Sequence, residues 1–191
     1  MIECDVTQHH GSAYRFCPVC GNPLELRALR AGEPMRLVCT SGACGFVFYL
    51  DPKLAVGTII SMPDGRIVLT RRAIEPGHGL WVFPGGYVDR GEDVRVAAVR
   101  EAREEAGIDI QLDGLVGIYS YPGTTAVIVV FRATWLAGTL AIDDESSEIG
   151  AFDLDQLPWD ELAFRSTGES LHDYVNAVPP APPPPAGVTG A

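Results

Sequence analysis

The sequence predicts an α/β layered domain behind a small cysteine-stapled unit. Three observations carry that expectation. Four of the five cysteines crowd into residues 17–44 as two close pairs. From Leu54 onward, strand-like runs alternate with short helical stretches, an order that suits a layered α/β domain better than a bundle or a pair of packed sheets. Within that part, Arg100–Gly107 reads REAREEAG, with three glutamates in five positions on a segment patterned as a helix.

The chain of 191 residues is long enough for one good domain and a small appendage. Residues 1–13 are expected to form a flexible N-terminus. They show no basic region followed by an apolar one, so no secretory leader is read there. The longest apolar runs, such as Ala126–Phe131, are too short to span a bilayer. The expectation is a soluble, cytoplasmic protein with no membrane partner. Cys4, His9 and His10 are read as part of the loose terminus and not as a second metal site.

Residues 14–50 hold Cys17-Pro-Val-Cys20 and Cys39-Thr-Ser-Gly-Ala-Cys44. Each pair belongs on a tight turn, so that four thiolates converge on one tetrahedral zinc. Gly21 and Gly45 follow the second cysteine of each pair, where such a turn needs room. Four cysteines close the coordination shell, so the expected zinc is structural. A disulfide set fits the expected compartment poorly.

Residues 51–178 form the main domain in this reading. LAVGTIIS and GRIVLTRR are strands separated by the turn MPDG. GLWVFPGGYVDRGED is Gly-rich and reads as a loop with short extended pieces. Asp93–Ala106 reads as a helix that Gly107 stops. IQLDGLVGIYSY and TTAVIVVFRATW pair across Pro122-Gly123. SSEIGAFDL begins another strand, and DQLPWDEL and GESLHDYVNAV are short helices. Residues 179–191 are Pro-rich and expected to be disordered.

Like charges one turn apart weaken a helix, so the glutamates need something to offset them. On a helical wheel Val94, Ala98, Ala102 and Ala106 form an apolar stripe. Glu101 and Glu105 fall at its edge, Glu104 lies further round, and Arg100 and Arg103 point to the far side. Carboxylates at the border of a buried face suit a hard divalent cation, Mg²⁺ or Mn²⁺. Mg²⁺ commonly completes its shell with substrate phosphates. Gly85 and Gly86 allow close backbone approach beside the cluster. The net charge of −11 argues against a nucleic-acid partner but not against a small anionic nucleotide.

Taken together, Gly86, Glu92 after five residues, and Arg100-Glu101-Ala102-Arg103-Glu104-Glu105-Ala106-Gly107-Ile108 after seven more resemble the Nudix box at every fixed position. The lead-in GLWVFPGG is similar too, and the likeness covers about Leu54 to Ala177. The cysteine unit resembles the zinc ribbon of a subset of Nudix proteins. The resemblance implies an α/β/α sandwich with a mixed sheet, the box forming a loop–helix–loop. It implies that Glu101, Glu104 and Glu105 bind the catalytic Mg²⁺ or Mn²⁺, with the Gly86 carbonyl as a further ligand. Arg100 would hold the carboxylates through loop contacts as well as its helical partner Glu104. Glu92 is read as structural, suited to the helix N-terminus.

For the general base the family offers a box glutamate or a later loop. Here DDESSE supplies Glu145 and Glu148, with Glu148 taken as the candidate. Arg71, Arg72, Trp81, Gly85 and Gly86 are the candidate substrate contacts, although packing under the loop is the favoured reading for Trp81. The SQPWPFP-type motif of NADH pyrophosphatases is replaced by YSYPGTTAVIVVF. HGLWVFPGGY, DELAF and the following ST look more like a ribbon-bearing group acting on ADP-ribose or FAD. Hydrolysis of the diphosphate to AMP and a second monophosphate is the expected activity. NADH or NAD-linked substrates come next, and a catalytically silent Nudix-like sensor is the reading from another class. A homodimer buttressed by the ribbon is also expected.

Overall fold

The structure is a computed structural model that describes residues 14–49 and 52–177. The segment with Cys4, His9 and His10 and the tail 179–191 lie outside the described residues. The described chain divides into two compact units. One holds the described residues up to Lys53 together with Ser120–Val127, and the other holds Leu54–Tyr119 and Ile128 onward.

In the first unit β1 (Leu24–Ala28), β2 (Met35–Cys39) and β3 (Val47–Phe48) form an antiparallel sheet in the order β1-β2-β3. Leu24 pairs with Cys39 and Leu37 with Phe48. The sheet thus ends at a zinc-type cysteine, and Tyr14 packs on Phe48 with ring centroids 4.6 Å apart.

The second unit holds most of a six-stranded sheet. The strands of that sheet are β4 (Lys53–Ser61), β5 (Ile67–Arg72), β6 (Trp81–Val82), β7 (Ile108–Ser120), β8 (Ala126–Gly138) and β9 (Ser146–Phe152). The order is β6-β5-β4-β8-β7, with β9 paired to β5. The β5 ladders to β4, β6 and β9 are antiparallel, whereas the bridge between Trp81 and Leu162 is parallel, so the pairing is mixed. The Pro-Asp-Gly turn closes the β4–β5 hairpin, with Met62 N donating to Arg66 O at 2.8 Å and Asp64 accepting from Arg66 N.

Alternation along the strands explains why both faces are covered. Val56, Ile60, Val68, Phe131 and Ala133 pack with the alanines of α1 (Val94–Ala106). The opposite positions Ile59, Ile67, Leu69 and Val130 are fully buried as well. A sheet buried on both sides is the centre of an α/β/α sandwich. The second helix, α2 (Arg165–Ala177), buries Ser166, Thr167, Ser170 and Leu171.

Three local expectations are corrected. DQLPWDEL is not a helix beyond a 3₁₀ turn at Trp159–Glu161. Pro158 precedes that turn and Leu162 leaves it in extended conformation to pair with Trp81. Helix α2 starts at Arg165, three residues ahead of the expected Gly168, because Ser166 and Thr167 are buried in its first turn. The wheel of α1 is also rotated. The buried residues are Ala97, Ala98, Glu101, Ala102 and Ala106, which places Glu101 inside the buried face and not at its edge.

Candidate functional site

Helix α1 is well delimited. Asp93 caps its start, accepting from Arg95 N at 2.8 Å. Gly107 ends it at φ 70°, with its N–H on Arg103 O. Between these caps, small alanines let the helix lie close to the sheet, and the glutamates are carried inward with them.

Arg100 organises three carboxylates. Its Nε and Nη2 donate to the two Glu92 oxygens, both at 2.9 Å. Its Nη1 donates to Glu101 at 2.7 Å and to Glu104 at 2.9 Å. Nη2 also reaches the Tyr87 carbonyl at 3.2 Å. Arg100 makes the expected pair with Glu104, and its far-side place on the wheel does not describe its side chain, which folds back over Glu101. Arg103 does turn outward, to Asp109. Glu92 accepts from Asp89 N in addition, and the Arg100 bonds, chiefly, hold its carboxyl down at about 2.

Glu105 lies outside this network. It accepts one hydrogen bond, from Gly85 N at 2.8 Å, and makes no ion pair among the described residues. Burial pushes its carboxyl up to about 8, against the Gly85 N–H, with the negative charges of Glu101, Asp143 and Glu145 adding to the rise. Burial also raises Glu101, which is only 9% exposed. Three carboxylates thus share one guanidinium and Glu105 has none, while burial raises both Glu101 and Glu105. This donor set suits a hard divalent cation.

The Gly-rich loop is pressed against both β4 and the helix. Val56 N donates to Gly86 O at 2.8 Å and Thr58 N to Pro84 O at 2.9 Å. A Cβ at Gly85 would fall 2.2 Å from Val56 O, and one at Gly86 would fall 2.6 Å from both Glu101 carboxylate oxygens. The Gly86 carbonyl keeps one lone pair beyond the Val56 bond. Gly57 has a related role that sequence reasoning missed, since a Cβ there would enter the Phe83 ring at 2.1 Å. A glycine interrupting an apolar strand run was the available signal.

The other expected residues are placed less simply. Arg71 sits opposite Glu148 in the β5–β9 register and pairs with it at 3.3 Å. It also holds Glu161 at 3.2 Å and the Gly79 carbonyl at 2.7 Å. Arg72 donates to Pro76 O at 2.7 Å. Both arginines clamp the 73–80 loop. Trp81 is buried edge-on against Phe152, with the Arg71 guanidinium 5.5 Å from its ring centre. Its ring is engaged in packing. Glu145, with Asp143, acts on the charge of Glu105, whereas Glu148 is drawn to Arg71.

The cysteine cluster is compact. The four sulfurs of Cys17, Cys20, Cys39 and Cys44 lie within 4.8 Å of one another. Cys20 and Cys39 sulfurs are 3.4 Å apart, and Cys17 and Cys44 are 3.8 Å apart. A tetrahedral zinc with bonds of about 2.3 Å has a sulfur–sulfur edge of about 3.8 Å, so the set fits zinc. The two turns match: Cys17 N donates to Asn22 O and Cys39 N to Phe46 O, with Gly21 and Gly45 both at positive φ. The two extra residues of the second pair are absorbed by a turn in which Cys44 N donates to Ser41 O.

This pairing of a sulfur cluster with an inward-facing glutamate helix defines a class. The NUDIX domain profile matches residues 51–173, and the Nudix N-terminal zinc-ribbon profile matches residues 15–50. The chain belongs to the Nudix hydrolase family. Among individual relatives, it is 38% identical over 120 residues to an ADP-ribose pyrophosphatase of Methanocaldococcus jannaschii, covering 61% of this chain and 69% of that protein. It is 32% identical over 148 residues to the NAD-capped RNA hydrolase NudC of Stutzerimonas stutzeri, covering 77% of this chain and 51% of that one. The chain thus spans about half the length of that NudC relative. A crystal structure of a NUDIX hydrolase from Nitrosomonas europaea superposes with a TM-score of 0.78 at 29% identity, covering 87% of this chain and 95% of the other.

Proposed function

We propose that the chain hydrolyses the diphosphate bond of a nucleoside diphosphate linked to another group, with ADP-ribose or FAD as substrate, giving AMP and a second monophosphate. The observation that carries this reading is the inward pair Glu101 and Glu105, buried and under-compensated beside the Gly85-Gly86 loop. The relative named ADP-ribose pyrophosphatase supports the choice of substrate.

Glu101, Glu104 and Glu105 would hold Mg²⁺ or Mn²⁺, with the Gly86 carbonyl as a further donor, and Cys17, Cys20, Cys39 and Cys44 would hold a structural zinc. A bound divalent ion would neutralise the diphosphate and acidify the attacking water. The chain's own residues do the positioning. Arg100 fixes Glu101 and Glu104 against the loop through Glu92 and the Tyr87 carbonyl. Gly85 N orients the Glu105 carboxylate. For the base, Glu145 stands closer in charge to Glu105, while Glu148 serves only after leaving Arg71. Arg71 and Arg72 would meet substrate by exchanging their present carbonyl and carboxylate partners. The protein would work as a cytoplasmic homodimer.

A second reading is an NAD-linked substrate. The alignment to the Stutzerimonas NudC covers more of this chain, 77%, than the archaeal alignment does, 61%. A silent sensor is disfavoured, since every box glutamate is present.

Chromatographic product analysis tests the proposal. ADP-ribose, FAD, NADH and a nucleoside triphosphate are each incubated with zinc-loaded protein, with and without Mg²⁺ or Mn²⁺. AMP formed from ADP-ribose or FAD only with metal is the expected result. Preferred turnover of NADH selects the second reading. No turnover of any substrate by folded protein overturns the enzymatic assignment.

A further inference from the structure

Phe164 stands at the entry to α2, half-buried, with its carbonyl accepting from Gly168 N at 3.2 Å. The guanidinium of Arg72 lies over its ring, 5.2 Å from the centre. The two arginines that end β5 are held in different ways. Arg71 is paired with two carboxylates, Glu148 and Glu161. Arg72 has the Pro76 carbonyl at 2.7 Å and the Phe164 ring, and among the described residues it makes no ion pair. A cation with only neutral partners is the readier of the two to move to an anion, because a bond between charged groups is the stronger one. The Arg72–Phe164 pair also lies beside the carboxylate cluster. Ala73, the next residue, donates its N–H to Glu145 O at 2.7 Å, and Glu145 is one of the charges that act on Glu105. Ala163 N donates to Trp81 O at 2.8 Å, which ties the approach to Phe164 to β6. A Cβ on Gly77 would fall 3.1 Å from Ala163 Cβ and 3.4 Å from Arg72 Cδ, so the 73–80 loop folds onto the same spot.

We propose that the adenine of the substrate stacks on the Phe164 ring in place of the Arg72 guanidinium, and that Arg72 turns to the diphosphate. This assignment rests on the diphosphate hydrolysis proposed above, and it makes Phe164 the specificity residue for the base. The exchange is chemically matched. A guanidinium and a purine are both flat, and each covers one face of an aromatic ring. Arg72 gives up a ring and a neutral carbonyl for a bond to an anionic oxygen, and the base takes the face that Arg72 leaves. Other indoles nearby have no such face to give. Trp81 packs edge-on against Phe152 and carries Arg71, which two carboxylates retain. Trp159 is stacked on His172, with ring centres 4.1 Å apart. A polar-edged ligand also suits the start of α2. Thr167, three residues on and so on the same side of the first turn, is 1% exposed, and its Oγ1 has no hydrogen-bond partner among the described residues. Buried hydroxyls are seldom left so, and a nucleobase brings donors and acceptors where an apolar ring brings none.

The test is calorimetry of AMP, and of ribose 5-phosphate as the same phosphate without the base, on full-length, zinc-loaded protein in Mg²⁺. Phe164→Leu keeps much of the side chain's bulk and removes its π-face. The expected result is an AMP dissociation constant raised at least about fivefold in Phe164→Leu, the scale of losing one base–aromatic stack, with ribose 5-phosphate unchanged. Phe164→Tyr restores a ring and should bring AMP binding back to within about twofold of wild type. Arg72→Gln should weaken both ligands, since it removes a phosphate contact. Circular dichroism and zinc content serve as the control for folding. Should Phe164→Leu misfold, Phe164→Met replaces it. Equal loss of both ligands in Phe164→Leu overturns the proposal, because it marks a structural role. So does AMP binding that the variant leaves intact, or a wild type that binds AMP no tighter than ribose 5-phosphate. An Arg72→Gln variant that holds ribose 5-phosphate as wild type does overturns the exchange. None of these readouts needs turnover. Hydrolysis alongside unchanged AMP binding in Phe164→Leu would sink the base platform alone, and AMP binding lost in the variant of a chain that hydrolyses nothing would sink the enzymatic reading alone.

Discussion

The protein has two clusters of side chains of metal-ligand type, the cysteines and the α1 glutamates, and they are built in opposite ways. The four cysteines arrive together: their sulfurs already stand within 4.8 Å, on two turns of the same design. The glutamates of α1 are held apart. Arg100 ties Glu101 and Glu104 to Glu92, while Glu105 leans on Gly85. Among the described residues, only the cysteines bring three or more metal-type ligand atoms that close together. A closed tetrahedral set gains folding energy from its metal and leaves no position for a substrate. A splayed set of carboxylates costs stability until a cation and an anionic substrate arrive, and that unfilled demand is what chemistry can use.

The largest effect should come from breaking the first cluster. Chelation of zinc, or Cys39→Ser, removes a binding free energy on the order of 10 kcal/mol from a three-stranded sheet with little core of its own. Zinc content should fall from one per chain to none, and amides of residues 35–39 should lose exchange protection. Retained protection after zinc loss would mean that the cysteines are an incidental cluster.

Breaking the second cluster should do the reverse. Glu101→Gln or Glu105→Gln should lower kcat at least about 100-fold at saturating Mg²⁺, about 3 kcal/mol in the barrier. The metal-free variants should melt no lower than wild type, because Glu101→Gln removes a buried, poorly compensated charge and Glu105→Gln keeps neutral a group that burial already disfavours as an anion. Near-normal kcat in either variant would remove that glutamate from the site. A collapse in thermal stability would show that the carboxylate is a structural group, as the cysteines are.

How much of this the sequence reveals follows the same division. Cysteine spacing states its geometry directly, since thiolates on tight turns have few places to go. The box spacing likewise marks the glutamates, and caps at Asp93 and Gly107 mark the helix ends. The rotation of α1 was not legible. A wheel weights Val94 and the alanines equally, whereas the helix turns so that Ala97 reaches the sheet and Glu101 is buried with it. The reach of Arg100 to Glu92 and Tyr87 was legible only in outline, because a loop sets it. Arg71, Arg72 and Trp81 were marked by residue type alone. Type does not say that Arg71 faces Glu148 across β5 and β9, or that Trp81 spends its ring on Phe152.

The smallest effect is the most discriminating, because it reads the charge of the second cluster without substrate. In the metal-free protein Glu105 holds its proton up to about pH 8, well above its ordinary 4.5. Between those values the native state binds more protons than the unfolded chain, so stability falls as pH rises through the window and levels off above it. Glu101, raised by its burial, acts in the same sense. Glu92 does not interfere: its carboxyl is held near 2, so its stabilising contribution is complete above the ordinary value and is lost only as pH drops toward 2. Thermal melts in chelator should therefore show wild type losing stability from pH 5 to pH 8, with Glu105→Gln losing less over the same range. Because a divalent ion competes with that proton, saturating Mg²⁺ should flatten the wild-type slope, and apparent metal affinity should rise with pH until about 8. Equal slopes for wild type and Glu105→Gln would mean that the Glu105 carboxylate is already compensated in the folded chain, and the contrast between the two clusters would then lose its electrostatic basis.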